Sequence, residues 1–202
     1  MGRSAIDEDS RVYRVLILHS SIDGHTETIC SRLQAMLSAR GCETRLVALA
    51  DCDTALLDRA ELVVIGASIR YGRHRPAVEA FLQAQRSRFR HLPCALFSVN
   101  LVARKPGKDT AGGNPYLRRL LARLGWQPAV ATAFAGRLDY PRCRPLDRLA
   151  IRLIMWLTHG PTDPRGIFEF TDWHAVERFG ETCVARLQAL RPPPARAPTH
   201  AL

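Results

Sequence analysis

Unbroken apolar runs alternate along the chain with stretches in which apolar side chains return every third or fourth position. Residues 12–18 form a near-continuous apolar run, as in a strand covered on both faces. Ile29, Leu33, Met36 and Leu37 then recur at helical spacing across 26–40, and Gly41 is the expected stop. Residues 43–48 read as a second strand, and 62–65 as a third that ends at Gly66. Pro76 opens a helix carrying Val78, Phe81 and Leu82 on one face. Residues 94–99 form a fourth strand. Asn114-Pro115 has the form of an N-cap followed by a first-turn proline, and Leu117, Leu120, Leu121 and Leu124 make that helix's stripe. Residues 130–135 supply a fifth strand. The last helix starts near Asp172, with Val176, Phe179, Cys183 and Leu187 inward.

Five strands alternating with helices predict an α/β domain built on a doubly wound parallel sheet, spanning about 11–190. An acidic tail (1–10, with Asp7-Glu8-Asp9) precedes it. A proline-rich tail (191–202) follows and reads as disordered. One stretch, about 138–166, is too long for an ordinary connection between the fifth strand and the last helix. It holds its own short helix near 146–157, and such an insert is expected to be functional or mobile.

Composition narrows the picture in three ways. No apolar run is long enough to span a bilayer, and the polar start lacks the pattern of an export signal. The six cysteines contain no CxxC pair, so neither a zinc site nor a thioredoxin-type motif is expected, and the thiols read as small core residues. A net charge of +10 predicts attraction to something anionic: nucleic acid, a membrane surface or a carboxylate-bearing substrate. No aromatic-basic motif or recognition-helix pattern supports nucleic acid.

Ligands of such sheets sit beyond the carboxyl ends of the strands, where strand order reverses. The first loop there, residues 20–26, joins a buried strand to a helix start. Its hydroxyls, glycine and free backbone N–H groups suit a phosphate. It lacks the glycines and lysine of a P-loop and the GxGxxG of a dinucleotide fold, so a monophosphate such as FMN fits better. Ser21, Asp23 and Thr26 serve equally well as helix caps. Asp23 is an awkward neighbour for a phosphate dianion and is expected to point away or cap. After the third strand, glycines bracket residues 66–72. There Tyr71 can stack on an isoalloxazine or pack on its own loop, and Arg70 can stabilise negative charge near the ring or remain a solvated charge. After the fourth strand, Asn100 can donate to and accept from a ring edge, or form an Asx-turn. Three such loops at the three expected positions favour the ligand reading.

The segments HSSIDGHT, VVIGASIRYG, FSVNLVARKP and RLDYPRCRPLDRLAIRLIM occur in that order. Together they resemble the flavodoxin-type, quinone-dependent protoporphyrinogen IX dehydrogenases of bacterial haem biosynthesis, over about 12–190. The resemblance implies a flavodoxin-like fold with strand order 2-1-3-4-5, FMN, and six-electron oxidation of protoporphyrinogen IX to protoporphyrin IX. Menaquinone or another quinone such as ubiquinone would be the acceptor, at the inner face of the bacterial plasma membrane. It carries the cofactor contacts onto Ser21, Ile22, Asp23, Gly24, His25 and Thr26 at the phosphate. Ser68, Ile69, Arg70, Tyr71 and Gly72 fall beside the ring, as do Ser98, Val99, Asn100 and Leu101. Arg70 and Tyr71 are the candidates for catalytic contact with substrate or ring. His19 and His25 depart from the usual flavodoxin pattern, and His25 is expected to be an exposed loop histidine. A homodimer is compatible with the resemblance. A flavodoxin-type electron carrier and an NAD(P)H:quinone oxidoreductase are the alternative readings.

Between residues 137 and 165 six arginines stand against three aspartates. Leu149, Ile151, Leu153, Ile154, Trp156 and Leu157 make the short helix there unusually apolar. A basic, apolar segment too short to span can lie in a membrane interface, or pack on its own domain. The insert arginines, with Arg70, Arg73, Arg104 and Lys105, are candidates to pair with substrate propionates, because guanidinium binds carboxylate bidentately.

Overall fold

The structure is a computed structural model that describes residues 12–158 and 160–189. The acidic tail and the proline-rich tail, with its expected disorder, lie outside the described residues. Strands β1 (Arg14–Ser20), β2 (Glu43–Ala48), β3 (Leu62–Arg70), β5 (Cys94–Val99) and β6 (Val130–Phe134) form one parallel sheet in the order β2-β1-β3-β5-β6. Counting only these five, the order is the expected 2-1-3-4-5.

Alternation along each buried strand divides the core between two layers. Leu16, Leu18, Val63, Ile65 and Leu96 face α3 (Pro76–Ala84) and α4 (Pro115–Leu124). Val15, Ile17, Val64, Ala95 and Phe97 face α1 (His25–Ala39) and α6 (Trp173–Ala189). On that second side Phe97, Phe134 and Phe179 meet in mutual edge or tilted contacts, with centroids 5.2–5.7 Å apart. These contacts join β5, β6 and α6 and add to simple area burial. Asn114 caps α4 as expected, accepting from the Tyr116 and Leu117 amides.

Two features differ from the sequence reading, and the insert gains a ribbon beside the helix expected there. A short helix, α2 (Thr54–Arg59), capped by Asp53, links β2 to β3. At 6 residues it is less than two turns long, too short to show a period. Strand β3 runs through Gly66 to Arg70 and folds back through Tyr71-Gly72 onto β4 (Arg73–His74), so the expected loop at 66–72 is a hairpin. Both turn residues have positive φ (49° and 75°), the pattern of a two-residue type I′ turn, and Tyr71 is the non-glycine there. The insert is a folded unit. Its antiparallel ribbon β7 (Arg137–Asp139) and β8 (Ile167–Glu169) flanks helix α5 (Pro145–Leu157), around a small cluster of Leu138, Tyr140 and Met155.

Gly66 does not border the ligand side. A Cβ there would strike the Phe97 ring and lie 2.9 Å from Cys30 Sγ. Gly66→Ala is therefore expected to lose about 1–3 kcal/mol of stability by overpacking the sheet floor, read as a lower urea midpoint. An unchanged midpoint would show that the aromatic cluster yields freely.

Candidate functional site

The chain leaves β1 for β2 on one side and returns to β3 on the other, so a crevice opens at their carboxyl ends. A cleft of about 360 Å³ lies there, walled by the loop after β1, the β3–β4 hairpin, the segment after β5 and the insert. Among the residues proposed from sequence, Ser21, Asp23, His25 and Thr26 line it, as do Ser68, Ile69, Arg70, Tyr71 and Gly72, with Val99, Asn100 and Leu101. Ile22 and Gly24 are exposed on the same loop outside the lining. Ser98 is fully buried beneath it.

The β1–α1 loop is unusual in what it leaves undone. Gly24 stands at the N-cap of α1 with φ 82°, and no side chain caps the helix. The alternative reading, in which Ser21, Asp23 or Thr26 caps the helix, is therefore not what the side chains do. Ser21 Oγ is buried without a hydrogen-bond partner among the described residues. A buried hydroxyl and a helix start without side-chain capping are what an anionic group would complete, because each loses free energy when left unpaired. The residues present thus fit the phosphate of FMN. Asp23, on the cleft wall, does not cap the helix, and its carboxylate forms an ion pair with Arg70 at 3.2 Å.

His25 is not the exposed loop histidine expected. Its side chain is mostly covered, with Nε2 2.8 Å from Thr171 Oγ1 and 3.4 Å from Glu169 Oε1, and its ring is edge-on to Trp173. Burial lowers its pKa, with Glu169 opposing that effect. The long-range partners on β8 and α6 explain why its position in a polar loop misleads.

Asn100 takes the Asx role. Its Oδ1 accepts from the Ala103 amide and from Asn114 Nδ2, and its Nδ2 donates to Ser98 Oγ at 3.1 Å. His74 Nε2 joins Ser98 Oγ at 3.0 Å. This buried network ties β4, β5 and the α4 cap together under the cleft.

The fourth wall comes from the insert. Gly136, Arg137, Asp139, Arg142, Cys143, Asp147 and Ile151 line the cleft, and sequence reasoning had not assigned site roles to the carboxylates, the glycine or the cysteine. Length and arginine content signalled the insert as a whole, but not which face would meet the sheet. Burial, with the nearby carboxylates Asp23, Asp139 and Asp147, pushes the Cys143 thiol pKa up.

The arginines divide by task. Arg148 donates to the Pro141 and Cys143 carbonyls, and Arg152 to that of Thr162. Arg104 donates to Thr158 Oγ1 at 2.8 Å and to its carbonyl at the end of α5, so the expected propionate role does not suit it. Arg70 is shared between Asp23 and Asp147. The Arg142 side chain lines the cleft with no ion pair among the described residues, while its backbone amide donates to Asp139 Oδ1 at 3.3 Å.

Comparison with known proteins places this geometry. A family model described as a flavodoxin domain matches residues 16–165. Protoporphyrinogen IX dehydrogenase (quinone) from Escherichia coli (strain K12) is 40% identical over 166 residues, covering 82% of this chain and 92% of that protein. The chain belongs to the family of flavodoxin-domain protoporphyrinogen IX dehydrogenases. A family member from Leishmania major, with the same description, is 39% identical over 185 residues, or 90% of this chain and 79% of that one. The fold is shared with a solved rubredoxin oxygen:oxidoreductase from Desulfovibrio gigas, at TM-score 0.53 and 17% identity, covering 87% of this chain and 36% of that chain.

Burial, reinforced by Arg123, lowers the His74 pKa from its ordinary 6.5 to about 4. The fold therefore holds His74 neutral. That contribution is complete above about pH 6.5 and is lost as pH falls toward 4, where the unfolded chain binds the extra proton. His74→Gln is expected to remove on the order of 3 kcal/mol of the acid-dependent loss in urea unfolding across that window. Equal losses in both proteins would clear His74 as the source.

Proposed function

We propose that this protein oxidises protoporphyrinogen IX to protoporphyrin IX, with FMN as resident cofactor and a respiratory quinone, menaquinone or ubiquinone, as acceptor. The observation that carries the reading is the cleft itself, in which a phosphate-ready loop, a ring-side hairpin and an arginine-bearing insert converge in one chain of this family. Ser21 Oγ and the first-turn amides of α1, with Thr26, would hold the phosphate. Ser68 to Gly72 and Val99 to Leu101 would border the ring, and Ser98 would support them from below. When bound, FMN supplies the hydride- and electron-accepting chemistry.

The protein's own part is position, charge and exclusion of water. The hairpin turn projects Tyr71, 71% exposed, over the cleft with the Arg70 guanidinium 5.3 Å from its ring centroid. Apolar Leu101 and Ile151 face the substrate's hydrophobic body, while Arg142 offers an unengaged cation to a propionate.

Helix α5 supports a location at the anionic inner face of the bacterial plasma membrane. It meets the protein along a stripe of Asp147, Arg148, Ile151 and Met155, the residues of the helix that are not exposed. Outside that stripe Leu146 is 83% exposed and Trp156 68%, and Leu149, Leu153 and Leu157 are exposed with them. No helix among the described residues is long and apolar enough to cross a membrane. A short apolar helix flanked by arginines can instead lie in the headgroup boundary, where quinone and porphyrinogen are met.

Anaerobic protein loaded with FMN, given protoporphyrinogen and a quinone, should generate porphyrin fluorescence above the no-enzyme rate. Arg142→Ala should raise KM for porphyrinogen about ten-fold with kcat little changed, the scale of one charge-assisted contact. Absence of enzyme-dependent fluorescence with flavin bound would refute the reaction. For the membrane, the Leu149→Glu, Trp156→Glu double variant should lose sedimentation with phosphatidylglycerol-containing vesicles while keeping its unfolding midpoint. Equal sedimentation of both proteins would rule α5 out as the anchor.

A further inference from the structure

The mouth of the cleft holds an arrangement that the flavin site does not require. Arg70 Nη2 and Tyr71 OH both donate to one oxygen, Asp147 Oδ2, at 3.3 and 3.1 Å. A guanidinium and a phenol converging on one carboxylate oxygen form a built carboxylate subsite. Its present guest belongs to the chain: Asp147 lies in the first turn of α5 and is the charged contact from that helix to the β3–β4 hairpin. Tyr71 takes a left-handed φ of 49°, which the hairpin turn imposes and which aims its hydroxyl across the cleft. Arg70 keeps a second anchor on Asp23 through its other terminal nitrogen, Nη1, so it stays oriented if Asp147 leaves.

We propose that Arg70 and Tyr71 bind a carboxylate of the substrate, and that Asp147 is an internal stand-in which the substrate displaces, loosening α5 from the cleft mouth. This rests on the porphyrinogen reading above, since that substrate carries two propionates. The displaced contact is partly exposed, with Arg70 side-chain exposure at 30% and Asp147 at 21%. Water and salt weaken such a pair, so an incoming carboxylate replaces it at little loss. Asp147 is then a positioning residue, and its effect on binding is opposite to that of a residue that contacts substrate.

The test uses the full chain loaded with FMN and two probes, protoporphyrin IX and its dimethyl ester, followed by quenching of protein fluorescence. Asp147→Asn should bind the dicarboxylate about five-fold tighter than the parent, the scale of losing a partly exposed ion pair. The ester should be unaffected, and Arg70→Ala should erase the preference for dicarboxylate over ester. Hydrogen exchange provides a readout that needs no variant: protoporphyrin bound to the parent should speed exchange of the 145–157 amides. Unchanged or weaker dicarboxylate binding by Asp147→Asn overturns the subsite, as does slower exchange on binding. If neither probe binds any form of the protein, the porphyrinogen reading falls and the subsite falls with it. A dicarboxylate preference that persists in Asp147→Asn at its parental size overturns the subsite alone.

Discussion

Burying a parallel sheet on both faces is the constraint from which the other features follow. Covered by α1 and α6 on one side and α3 and α4 on the other, the strands leave only their ends for chemistry. The chain turns to opposite sides after β1 and before β3, so their carboxyl ends part and a crevice opens. The candidate site residues gather around that crevice. The proposed phosphate loop is the β1–α1 connection, the hairpin is the overrun of β3, and Asn100 caps the turn leaving β5. The insert closes the remaining side through β7, which follows directly from β6.

Charge is arranged more finely than the net +10 suggests. Two of the insert arginines, Arg148 and Arg152, satisfy backbone carbonyls at bends, which helps a loop-rich unit fold around the small cluster of Leu138, Tyr140 and Met155. Around Arg70 the balance is locally acidic, with Asp23 and Asp147 on one guanidinium. An anionic ligand drawn in by the overall field therefore meets a few placed cations and not a uniformly basic wall. The buried polar network of His74, Ser98, Asn100 and Asn114 does a different task. It fixes three chain segments beneath the cleft, and its full satisfaction is what makes such a network tolerable in a core.

Several local readings were ambiguous in one dimension. The run after Gly66 has glycines at both ends and reads as a loop, yet edge-on pairing with Arg73 and His74 extends it as strand. His25 sits among polar residues, and nothing near it in the chain announces Thr171 and Glu169. Asn100 is equally suited to a ring edge and to an Asx cap, and the proximity of Asn114 settles which its side chain makes. Asp147 was only one acid in a basic helix until the fold set it against Arg70 and Tyr71.

What the sequence determined by itself was the set of elements and their class. Apolar runs, helical periods, Asn114-Pro115 and the three loops at strand ends are local signals, because the backbone's two periodicities are local properties. The likeness of four ordered segments added the family. Tertiary structure alone decided which polar side chains are spent on structure and which remain available. Burial, pairing and the direction of a side chain depend on residues far apart in the chain, as Arg104 with Thr158 and Arg70 with Asp147 show. For the same reason it was packing, through the stripe of Asp147, Arg148, Ile151 and Met155, that left the apolar flank of α5 uncovered.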